Sequence, residues 1–101
     1  MEDHVANTMD EQFYARADEV IHLANRQLAD STRGKVSASC MYATARFNAW
    51  VSANGFGTGE DMKAAKEETI RYFVEQYRSM LEENLSDYID NFEKYMRAGE
   101  A

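Results

Sequence analysis

A chain of 101 residues with 18 acidic and 11 basic side chains, a net charge of −7, one cysteine and no proline is long enough for one domain and too short for two independent cores. The acidic excess speaks against nucleic acid, whose phosphates need a basic face, and one cysteine excludes an internal disulfide framework and multi-cysteine metal knuckles. With no apolar run of about 18 residues and no basic or apolar leader in Met1-Glu2-Asp3-His4, the expectation is a cytoplasmic protein that does not engage membranes.

The first helix is expected to start near Thr8, because Thr8 and Glu11 have the spacing of a capping box. Phe13, Ala17, Val20, Ile21, Ala24 and Leu28 recur every three or four residues and fall within about 100° of arc, which predicts one buried face. Asp30-Ser31-Thr32-Arg33-Gly34 supplies turn chemistry to end the helix, with Gly34 free to take positive φ.

The second helix is expected over residues 35–54. Val36, Cys40, Ala43, Phe47, Trp50 and Val51 form one apolar face, and Ala38, Met41, Tyr42, Ala45 and Ala49 form another opposite it. A helix apolar on two sides is normally buried on two sides, so this one is predicted to be central. Arg46, the only charge between Val36 and Gly59, then needs a carboxylate partner, because a buried isolated charge is costly. Asp18, Glu75 and Glu82 are the expected choices; recognition of a ligand carboxylate or phosphate is the alternative.

Gly55-Phe56-Gly57-Thr58-Gly59 breaks the pattern as a flexible loop anchored by Phe56. It lacks the lysine and preceding strand of a phosphate-binding P-loop. The third helix is expected from Thr58 or Gly59, with Glu60 and Asp61 at its positive end. Ile70, Phe73, Val74, Tyr77, Leu81, Leu85, Tyr88, Phe92, Tyr95 and Met96 then form one stripe inside roughly 140° of arc.

Without glycine or proline from Glu60 to Ala98, a straight helix would span about 57 Å, against a diameter of about 35 Å for a compact domain of this size. One resolution is a break at Asn84–Asp87, giving a four-helix monomer. The other is a straight helix whose overhang is covered by a second chain, and the unbroken phase of the stripe favours it. Its interface would hold Leu85, Tyr88, Phe92, Tyr95 and Met96, with Asn84 and Asn91 at the edge to fix register.

Charge divides the chain into three zones: seven acids against two bases over residues 1–30, three bases and no acid over 31–59, and eleven acids against six bases over 60–101. The basic middle zone is expected to pack between its acidic neighbours. Arg33, Lys35 and Ser37 at the start of the second helix, with Arg46 further on, are the candidate anion-binding residues. Glu19 and His22 have the spacing of carboxylate-bundle metal ligands but lie about 150° from the apolar face, so a solvated pair is the reading and no metal is assigned. Cys40 reads as a small buried hydrophobe with no base beside it. No catalytic constellation or cofactor motif is present. The run Glu82, Glu83, Asp87, Asp90, Glu93 reads as a solvated face, or as a docking surface for a basic partner.

The stretches Arg33-Gly34-Lys35-Val36-Ser37-Ala38-Ser39 and Tyr42-Ala43-Thr44-Ala45-Arg46-Phe47-Asn48-Ala49 resemble a small bacterial domain-of-unknown-function family of helical proteins. Phe13-Tyr14-Ala15-Arg16-Ala17-Asp18, Glu75-Gln76-Tyr77 and Glu82 through Asn84, Leu85, Asp87, Tyr88 and Ile89 fit the same pattern. The resemblance covers about Asp10 to Met96 and implies a small helical bacterial cytoplasmic protein, with no activity to carry over.

The expectation is therefore an all-α domain over residues 8–97, with flexible ends at 1–7 and 98–101. Three long helices form an up-down bundle completed by dimerisation. The expected role is a non-enzymatic homo-oligomeric interaction module, with binding of a small anionic ligand as the alternative.

Overall fold

The computed structural model describes residues 10–98, which are mostly helical, with no strand among them. Five α-helices are present: α1 (Phe13–Gln27), α2 (Arg33–Ala53), α3 (Gly59–Ala64), α4 (Lys66–Asp90) and α5 (Phe92–Ala98), with one 3-10 turn at Leu28–Asp30. The chain divides into two compact units, the first ending at Val51 and the second beginning at Ser52.

In the first unit, α1 opens at Phe13, later than the expected start near Thr8, which lies outside the described residues. Asp10 organises this end instead. Its Oδ1 accepts the Gln12 backbone N–H at 3.0 Å and the Arg16 guanidinium at 3.1 Å, while its carbonyl accepts the Phe13 N–H at 3.1 Å. This is the local side-chain-to-backbone bonding that makes Asp favourable at helix entrances. Extended backbone at Ser31 then leads the chain out of the 3-10 turn.

The second helix starts at Arg33, with Thr32 as its cap. The Thr32 hydroxyl accepts the Lys35 N–H at 3.3 Å, and its carbonyl accepts the Val36 N–H at 3.0 Å. Gly34 thus sits in a helical first turn and has no positive φ. The turn-forming role expected of it is corrected: Thr32 ends the connection, one residue before the helix begins.

In the second unit, Thr58 caps α3, its hydroxyl accepting the Asp61 N–H at 3.1 Å, with Glu60 and Asp61 in the first turn as expected. The long helix is not continuous from Glu60 to Ala98. It is interrupted at Ala65 (φ −96°, ψ 6°) and at Asn91 (φ −118°, ψ 29°), and it runs unbroken through Asn84–Asp87. The alternative break at Asn84–Asp87 is therefore corrected. The Asn84 amide donates to the Met80 carbonyl at 2.8 Å and so finds its partner inside the helix.

Burial departs most from expectation. Among the described residues only Val36, 6% exposed, is buried. Val20 and Ile21 on α1 are half exposed, and on α2 Met41, Tyr42, Phe47 and Trp50 are more than half exposed, Trp50 by 62%. The two-sided burial predicted for α2 is not found. Periodicity identifies an apolar face without supplying a surface to cover it. Arg46 is likewise exposed rather than a buried charge, and Glu82, one carboxylate expected to meet it, pairs with Arg78 at 3.4 Å. Cys40 is half-buried.

Candidate functional site

At 100° per residue, Val74, Tyr77, Leu81, Leu85, Tyr88 and Phe92 fall on one arc of about 100° along α4 and into α5. Every one of them is about half exposed: Leu85 by 53% and Phe92 by 56%. The Asn91 N–H bonds the Asp87 carbonyl at 3.0 Å and the Tyr95 N–H bonds the Asn91 carbonyl at 2.9 Å. Four-residue hydrogen bonding therefore spans the interruption, and the stripe carries through it.

A polar cluster borders the stripe where α4 meets α5. The Asn91 amide donates to Asp87 Oδ1 at 2.9 Å and to the Asp87 carbonyl at 3.0 Å. The Tyr95 hydroxyl donates to the same carboxylate, and its ring packs edge-on against Tyr88 with centroids 5.0 Å apart. The hydrogen bond to Asp87, followed by that carboxylate's negative charge, holds the Tyr95 phenol above the ordinary tyrosine pKa. Sequence reasoning placed Tyr95 in the stripe and missed this cluster. The spacing of Asp87, Asn91 and Tyr95 at four-residue intervals was the available signal.

Of the residues assigned to the interface, Leu85, Tyr88, Phe92 and Met96 are exposed, while Tyr95 is half-buried and engaged by Asp87. Asn84 and Asn91 lie at the edge of the stripe, but both amides bond their own helix. Ile89, 72% exposed, was not singled out as an interface residue, although it flanks the stripe. The acidic run is partly paired within its helices, Glu82 with Arg78 and Glu93 with Arg97.

The candidate anion-binding residues all stand on α2. Arg33 and Lys35 project about 160° apart, Ser37 lies on the side of Arg33, and Arg46 lies on the side of Lys35 about 16 Å further along the axis. The four do not converge on one point. A shallow open pocket lined by Leu28, Ser31, Thr32, Arg33 and Gly34 marks the entrance to the helix. Glu19 and His22 are both exposed, and no group of three potential metal ligands occurs among the described residues. No helix among them is long and apolar enough to cross a membrane.

A family model described as a protein of unknown function, DUF3144, matches residues 13–89. The NMR structure of a protein from Shewanella sp is 45% identical to this chain, covering 90% of it and 97% of the Shewanella protein, with a TM-score of 0.71. The comparison with curated proteins gave no match.

Proposed function

The chain belongs to the DUF3144 family of small bacterial helical proteins, and we propose that it works as a non-enzymatic, homodimeric interaction module of the cytoplasm. One observation carries this reading: six large apolar side chains line one face of α4 and α5, each about half exposed. At about 200 Å² per side chain, they leave on the order of 600 Å² uncovered, and two such faces pressed together reach about 1,200 Å², the lower bound of a stable specific interface. A contiguous apolar patch of this size marks an association surface. The cytoplasmic assignment rests on a composition with a single cysteine.

Size-exclusion chromatography with light scattering tests the proposal. The expected mass at micromolar concentration is twice the chain mass of 11.6 kDa. A monomer mass at every concentration would overturn it.

The pocket beside Arg33 supports a second reading, capture of a small anion at the start of α2. A thermal-shift screen of nucleotides and organic acids separates the two. Stabilisation lost in an Arg33→Ala/Lys35→Ala double variant favours the anion, and no stabilisation removes it.

A further inference from the structure

We infer that folding and pairing are one transition, so that the dissociated chain is unfolded; this rests on the dimer proposed above. Neither compact unit holds a core of its own among the described residues. The first, ending at Val51, buries only Val36, and the second, beginning at Ser52, buries none. Helix propensity does not fill the gap. Isolated helices shorter than about 12–15 residues are marginal in water, and most of the stability of helices in proteins comes from packing an apolar face. Here α1 has 15 residues, α3 six and α5 seven.

The uncovered area matches a second copy of the chain. Among the described residues, twenty large apolar side chains spread over both units are a third or more exposed, most of them by about half. At about 200 Å² per side chain, covering them removes on the order of 2,000 Å² per copy, or 4,000 Å² per pair. That falls within the range of obligate homodimers, about 2,000–5,000 Å², whose interfaces resemble a domain core divided between two chains. The stripe from Ile70 to Met96 alone rises about 39 Å, more than the diameter of about 35 Å of a compact domain of this size. A chain folded on itself therefore leaves the ends of the stripe uncovered. A dimer that supplies the core in this way has no stable folded monomer, and its stability depends on protomer concentration.

The test is urea unfolding of the full chain, followed by far-UV circular dichroism at two concentrations a hundredfold apart, with the mass at each measured by sedimentation. For a dimer that unfolds directly to two chains, the hundredfold dilution should lower the midpoint by about 1 M, and helix and dimer should be lost together. A dimer mass with the same midpoint at both concentrations, or a helical monomer on dilution of a dimer, overturns the inference and leaves the dimer standing. A helical monomer at every concentration overturns both. A monomer without helix at every concentration also overturns both, because the second copy is then not what completes the core.

Discussion

The Tyr95 hydroxyl lies 3.2 Å and 3.1 Å from the two carboxylate oxygens of Asp87, two helical turns earlier and across the interruption at Asn91. Asp87 thus ties α5 to the end of α4 through three donors: the Tyr95 hydroxyl, the Asn91 amide and the Asn91 backbone N–H. These hydrogen bonds span the interruption, while Leu85, Tyr88 and Phe92 of the stripe stay about half exposed beside it.

This contact predicts a pH signature. An ordinary tyrosine ionises near pH 10, and the hydrogen bond to Asp87 raises Tyr95 above that. A raised folded-state pKa means that the contact's stabilising effect is fully present below about pH 10 and is lost as pH rises through the higher folded value. Absorbance titration at 295 nm should show a late Tyr95 component, and in Asp87→Asn that component should disappear. A native curve with no late component would contradict the geometry.

Gly34 yields a prediction opposite to the one its sequence context suggests. It occupies the first turn of α2 without positive φ, and a Cβ there meets nothing within 4 Å. Gly34→Ala should therefore stabilise the fold by about 0.5–1 kcal/mol, through higher helix propensity and a less mobile unfolded chain. Urea unfolding should show a higher midpoint at unchanged slope. A lower midpoint would mean that the glycine is needed for its backbone freedom.

Thr32 and Thr58 each accept the N–H three residues ahead. Thr32→Ala and Thr58→Ala should each cost about 1 kcal/mol, while the serine variants, which keep the hydroxyl, should lose much less. The two sites lie in different compact units, so the double variant should show additive losses. Equal effects of alanine and serine would remove the caps as the cause.

The sequence makes some of these features legible and hides others for physical reasons. The start of α3 is readable because Thr58, Glu60 and Asp61 are local chemistry acting on the first free N–H groups. The Thr32 cap is equally local, but the neighbouring Gly34 draws attention as a turn residue. The interruption at Ala65 has no propensity signal, since alanine is the best helix former, and nothing at that position explains it. Ser86 and Asn84 mark a weak helical stretch, yet α4 passes through it unbroken, with the Asn84 amide bonded to the Met80 carbonyl. Burial is the least legible property. The spacing of apolar residues defines the faces of α1, α2 and α4, whereas the covering surface depends on what packs against them.

Leu85 tests the stripe with the least disturbance to the helix bearing it. It lies within α4 and is 53% exposed in the single chain, so a dimer that covers it removes about half its surface from water, worth about 1–1.5 kcal/mol per copy. Leu85→Ala deletes that contribution twice in a symmetric pair, about 2–3 kcal/mol, and should weaken dimerisation by about 30–150-fold. Alanine is the stronger helix former, so far-UV circular dichroism at equal concentration should show no loss of helix beyond what dissociation brings. Glu83 projects from the opposite face of α4, and Glu83→Gln should leave dimerisation within a few-fold of native, its small change coming only from reduced acidic repulsion. Sedimentation velocity over a concentration series reads both constants. If Leu85→Ala and Glu83→Gln shift dimerisation equally, association does not run through the stripe.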